Sequence, residues 1–251
     1  SDPDTADYVA VAPSGDWGDL VGTFVYDGDA PMPEAIAVSS DRAVCGRHAL
    51  VSEDLVVDPK TKGVKNVVVF MYLKRGDDPP KVHPDYNETA EDKVVLDNIN
   101  CRFEPRVTLL RTSQTLQVKN SDPIGHNTRV SVLSGTPISP LVPPSGEMEV
   151  TFDTVERLPC QVACNIHPWM TGWIVIRDNP YMAVTDEQGK FKIANVPLGE
   201  WTFQFWHERI GYIREVTVDG KNTEWSRGRV EFDIQPGPNS VGKVAIRADD
   251  D

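Results

Sequence analysis

Helix-period patterning is missing from this chain, and so is any apolar run near the roughly 18 residues a membrane-spanning helix needs. The first absence leaves β structure as the expectation, and the second excludes a helical membrane span. Basic residues are scarce: 25 Lys and Arg against 38 Asp and Glu give a formal net charge of -13. Nothing here would neutralise the phosphates of a nucleic acid, whereas a basic protein partner would be attracted. Four cysteines are too few for a disulfide scaffold in a chain this long, and no Cys-x-x-Cys-His run offers haem attachment. Gly-x-Ser-x-Gly, His-Glu-x-x-His and Gly-rich phosphate loops do not occur either. There is no basic and then apolar leader, and Ser1 stands first, as expected of an exported chain after processing.

What is present is short and alternating. Residues 1–16 are acidic and aperiodic, and are expected to form a flexible tail. From Trp17 onward, "LVGTFVYDGDAP", "GVKNVVVFMYL", "KVVLDNINCRF", "RVTLLRT", "TLQVKNSD", "EMEVTFD" and "GWIVIRD" read as strands between turn residues. "KRGDDPPKVHPDYNETAED" is a loop rich in Pro and acids. The texture changes near Asn179-Pro180, after which "AVTDEQGKFKIANVPLGEWTFQFWHE" gives closely spaced strands with Gly turns. The division expected is a first domain over 17–178 and a small β-sandwich over 179–251, both all-β.

One stretch concentrates soft ligands. "CQVACNIHPWMTGW" places Cys164, His167 and Met170 at three-residue intervals. A metal that shuttles one electron needs thiolate for its reduced form and imidazole for both, and two His, one Cys and a distant Met are the recurring answer for copper. The second His must come from elsewhere. His126, after a Pro-Ile-Gly turn and at the head of a strand, is the best candidate. His48 lies three residues after Cys45 but has no partner pair. His83, in a hydrophilic loop, is expected to be exposed, and His207 to be a packed structural residue.

"CNIHPWM" resembles the ligand loop of amicyanin-like blue copper proteins, and "HN" at 126–127 resembles the first ligand His and following Asn of the cupredoxin family. With "VCGRHALVSEDLVV" and "KNVVVFMYL" upstream, the chain from about Gly22 is similar to methylamine-utilisation-like cupredoxin proteins of planctomycetes. In these a carboxypeptidase-regulatory-like module follows the copper loop. The resemblance implies a cupredoxin-like Greek-key sandwich followed by a small antiparallel, transthyretin-like one. It implies one type 1 copper held by His126, Cys164, His167 and axial Met170, with Asn127 tying the two ligand loops together. The electron would leave through the edge of His167, beside Pro168 and Trp169.

Cys160, four residues before Cys164, raises an alternative, because Cys-x-x-x-Cys followed by His and Met resembles the dinuclear copper A centre. That centre sets its second Cys and its His one residue further apart, so the mononuclear site is favoured. Cys45 and Cys101 can pair, leaving Cys160 free, or Cys160 can replace one of them; sequence does not fix which.

Single-electron transfer in the periplasm or cell envelope is the function expected, with a basic cytochrome or a copper or quinoprotein enzyme as redox partner. A copper enzyme is disfavoured, because only three scattered histidines remain after His126 and His167. A copper-binding structural or docking protein of the envelope is the other alternative.

Overall fold

A computed structural model describes residues 15–248, so all but Gly15 and Asp16 of the expected tail lies outside the described residues. The described residues are all-β; among them helix is confined to the single turn α1 (Arg42–Cys45) and two 3-10 turns. The first sheet runs β10 (Glu147–Thr151), β6 (Thr115–Asn120), β3 (Lys93–Ile99), β4 (Arg102–Glu104). The second runs β5 (Val107–Arg111), β12 (Thr171–Arg177), β11 (Cys160–Ala163), β8 (Arg129–Val130), and β7 (His126–Asn127) pairs with β9 (Leu141–Val142) beside them. The third is β13 (Met182–Val184), β2 (Val68–Met71), β15 (Gly199–His207), β16 (Gly211–Tyr212), with β19 (Arg229–Ile234) also on β15. The fourth is β14 (Lys190–Pro197), β1 (Trp17–Tyr26), β20 (Gly237–Ile246), β17 (Glu215–Val218), β18 (Lys221–Glu224).

Period-two patterning stacks these sheets in that order. Leu96 and Val118 of the first sheet meet Val162, Ile174 and Ile176 of the second in one core. The opposite face of β12 carries Val175, which packs with Val107 against Val68, Phe70 and Trp206 of the third sheet. The other faces of β2 and β15, with Val69, Met71, Phe203 and Phe205, join Leu20, Phe24 and Val244 in the last core. Strands apolar on both faces are therefore strands with a core on each side. Between the two sandwiches Glu208 accepts two hydrogen bonds from Arg106, at 2.5 and 2.7 Å, and a third from Trp173 Nε1 at 3.0 Å.

The strands do not divide at residue 178. β1 pairs with β14 and runs parallel to β20, and β2 pairs with β13 and β15, so the N-terminal strands complete the second sandwich rather than elaborate the first. Phe70 lies opposite Met182 in the β2–β13 ladder. The chain leaves the second sandwich after β2 and returns to it beside the point of departure, which makes the first sandwich an insertion. Alternation looks the same whichever sheet receives a strand, so the expected 17–178 domain missed this exchange. A disulfide between Cys45 and Cys101, with Cα atoms 5.5 Å apart, fastens the α1 segment to the inserted sandwich.

Candidate metal centre

The antiparallel pairing of β11 and β12 puts Ala163 opposite Thr171, so residues 164–170 form the connection between them. The connection is tight. Cys164 N–H donates to Met170 O at 3.1 Å, and Met170 N–H donates to His167 O at 2.9 Å. Cys164, His167 and Met170 turn inward, at 2%, 0% and 1% exposure, while Asn165, Ile166 and Pro168 face outward. Met170 packs in the same core as Cys164.

His126 reaches this loop from the neighbouring turn. Asn120, at the end of β6, donates through Nδ2 to the carbonyls of Ile124, Val142 and Pro143, fixing the Pro-Ile-Gly turn. His126 then pairs with Val142 and is fully buried. One ligand atom from each of His126, Cys164 and His167 lies within 4.8 Å of the other two. Cys164 Sγ is 3.6 Å from His167 Nδ1, and the two imidazole centroids are 4.6 Å apart.

Each outer imidazole nitrogen is held by a carboxylate. His126 Nε2 is 2.8 Å from Asp122 Oδ2, and His167 Nε2 is 2.9 Å from Asp41 Oδ2. With Nε2 committed, Nδ1 is the nitrogen left for the centre. His126 Nδ1 is buried and faces Cys164 without a well-formed hydrogen bond, an arrangement that a cation bound to both would satisfy. Burial pushes the Cys164 thiol up, but His126 and the N–H groups of Asn127, His167 and Ile166 outweigh it and bring it down to about 6. Burial likewise pulls His126 down, and the Asp122 carboxylate and Cys164 push it up to about 9. A buried thiolate facing two imidazoles is a place built for a soft cation, and with a buried thioether beside it the donor set fits copper.

Asn127 bridges the two loops. Its N–H donates to Cys164 Sγ at 3.3 Å, its Oδ1 accepts Asn165 N–H at 3.1 Å, and its Nδ2 donates to the carbonyls of Ser139 and Pro140.

Several expectations need correction. The edge of His167 is not an open electron exit: the ring is fully buried, with Asp41 on its outer nitrogen. Trp169 is only partly buried, but it packs against the core around Cys164 and hides its Nε1, so it is no free docking plate. Cys160 lies outside the cluster: β11 is extended from Cys160 to Ala163, which sets Cys160 about 13 Å along the chain from Cys164. Its thiol contacts Leu158 O, and burial pushes it up to about 12. His83 is not fully exposed: it accepts Asp85 N–H as the cap of a 3-10 turn and packs edge-on against Trp17, centroids 4.9 Å apart. His207 is buried at the end of β15 in the second sandwich. A further grouping of Cys101 with Asp122 and His126 shares His126 and has its sulfur in the disulfide, so it is not a separate site. Sequence reasoning missed Asp122 and Asp41. The first had a signal, four residues before His126; the second had none.

No family model matches the chain, and no curated protein matches it. Among solved structures it is similar to the copper-containing nitrite reductase of Thermus scotoductus, at 22% identity and TM-score 0.31, over 34% of this chain and 22% of that one. It is similar to a reduced Cu(I) form of a mutant amicyanin, at 20% identity and TM-score 0.31, over 43% and 98% of the respective chains. A purple cupredoxin from Nitrosopumilus maritimus matches at 20% identity and TM-score 0.28, over 34% and 99%. The chain thus spans about a fifth of the nitrite reductase. Likenesses this distant leave the chemistry of the centre to its own geometry.

Proposed function

We propose that the chain is a type 1 copper protein that carries single electrons between redox partners in the periplasm or cell envelope. The observation that carries this reading is the convergence of His126, Cys164 and His167 within 4.8 Å, with the buried Nδ1 of His126 among them. Cys164 and the two imidazoles would hold the metal, and Met170 would be the axial ligand that tunes its potential. Copper, when bound, supplies a one-electron couple between Cu(I) and Cu(II).

The chain's own part is to hold the donors and exclude water. Asp122 and Asp41 orient the rings, Asn127 locks the two loops together, and the buried core around Cys164 keeps the sulfur dry. His48, His83 and His207 lie outside this cluster, which favours a carrier over an enzyme with a second copper. Exposed Ile166 and Pro168, and Leu141 opposite Asn127 on β9, offer an apolar rim for brief contact with a partner. The net charge of -13 would steer a basic partner toward it, so association should slow as salt is raised.

The test is optical. Copper(II) added to the purified protein should give an intense blue or green colour that ascorbate bleaches and air restores, and Cys164→Ser should abolish it. A colourless complex would sink the electron-carrier reading in favour of a structural copper protein of the envelope.

A further inference from the structure

Asp41 lies 126 positions before His167, on a segment that belongs to neither sheet of the inserted sandwich. It stands at the N-cap of α1, where Asp is a favoured residue because its carboxylate can take a backbone N–H of the first turn. Here it takes none. Its backbone sits at φ 44° and ψ 42°, in the left-handed region that a residue with a β-carbon seldom occupies, and its carboxylate goes to His167 Nε2 instead. Such a conformation persists only where the surroundings impose it. Two contacts do so: Ser40 Oγ donates to Ile166 O at 3.0 Å, and Cys45, at the end of the same helical turn, is bonded to Cys101.

The far end of that disulfide is also part of the centre. Cys101 N–H donates to Asp122 Oδ2 at 2.8 Å and Asn100 N–H to Asp122 Oδ1 at 2.7 Å, and Asp122 holds His126. One covalent bond therefore joins the segment that carries Asp41 to the turn whose N–H groups hold Asp122.

We propose that Asp41 is a positioning residue for His167. Anchored by the Cys45–Cys101 disulfide, its carboxylate fixes which ring nitrogen faces the centre and covers the ring edge that a docking protein would otherwise touch. The metal half rests on the copper reading; the covering half does not. A carboxylate on the outer nitrogen makes the imidazole a stronger donor and favours the more highly charged oxidised ion. Partners would then meet the rim of Ile166 and Pro168, not the imidazole.

The covering half is tested on metal-free protein with diethyl pyrocarbonate, reading each histidine by peptide mass spectrometry. In the wild type His126 and His167 should resist while His83 reacts. In Asp41→Ala, and in the double variant Cys45→Ser/Cys101→Ser, His167 should become as reactive as His83 while His126 stays protected. Asp41→Asn retains a hydrogen-bond acceptor without the charge, so His167 should remain protected. With copper, Asp41→Ala should weaken Cu(II) binding by roughly 10- to 100-fold, and both Asp41 variants should raise the reduction potential. Equal reactivity of His167 in wild type and Asp41→Ala, or an unmoved potential in both variants, would overturn the proposal. Should Asp41→Ala expose His126 as well, the site has come apart and the potential of Asp41→Asn decides. A protein that binds no copper defeats the electron-transfer reading, and the reactivity pattern then decides the cover alone.

Discussion

Asn127 and Asn165 meet across the centre: the side-chain oxygen of the first accepts the backbone N–H of the second at 3.1 Å. The loop after β11 is thereby tied to the strand that carries His126. The same amide group of Asn127 donates to Ser139 and Pro140, so one side chain spans three segments. Asn127→Ala removes these part-buried hydrogen bonds, though Pro140 O keeps the Thr128 N–H, and should lower stability by about 1 kcal/mol. Urea unfolding of the metal-free protein checks the size. Asn127→Asp keeps an acceptor for Asn165 but sets a carboxylate against the Ser139 and Pro140 carbonyls, and should be at least as destabilising as Ala; a variant as stable as wild type would show the bridge to be idle.

Cys160 has no part in the proposed metal set. Cys160→Ser should therefore leave the colour and a four-line copper hyperfine pattern unchanged, because the hydroxyl can still face Leu158 O. A seven-line pattern in the wild type, lost on this substitution, would restore the dinuclear alternative.

His207 gives the second sandwich an acid weakness. Burial lowers its pKa from 6.5 to about 4, and its Nδ1 accepts Arg209 N–H, a bond that needs that nitrogen unprotonated. The unfolded chain takes up the proton first as pH falls. Stability is thus complete above about pH 6.5, declines between 6.5 and 4, and is flat with respect to this group below that. The loss is on the order of 3 kcal/mol. His207→Gln should be less stable at neutral pH yet show a shallower fall across that window. An identical pH slope in the two proteins would exclude His207 as the source.

Removing residues 179–251 should not leave a sound copper domain. Such a chain retains β1 and β2 without their pairing strands and exposes the face of Val107 and Val175. It should aggregate or melt without a cooperative transition, seen by circular dichroism and light scattering. A monomeric, cooperatively melting product would show that the inserted sandwich needs neither.

What the sequence revealed about the centre was whatever lay close along the chain. Cys164, His167 and Met170 share one tight turn, and spacing alone fits them to a common loop. His126 and Asn127 follow a turn that aims them, and Asp122 stood within reach of the same argument. Asp41 did not, because its role depends on a left-handed N-cap and on a disulfide partner 56 residues away. The misjudged exposure of His167 follows from the same gap. In the strands, "VVVFM" is visibly buried on both faces, but period-two alternation does not say which two cores a strand separates. His83 was misjudged because polar neighbours in sequence say nothing about Trp17, which comes from the start of β1.

The ladder between β2 and β13 also bears on the order in which the chain assembles. Phe70 and Met182 must find each other across residues 72–181. If that stretch were still a random coil, closing it would cost about 3 kcal/mol more than closing a four-residue turn. Once the inserted sandwich has formed, its two ends already lie side by side, and the closure becomes nearly that of a short hairpin. The inserted unit then acts as a template for its host: a slow or misfolded insert delays the outer sandwich, and a ligand that hastens the insert speeds the whole chain.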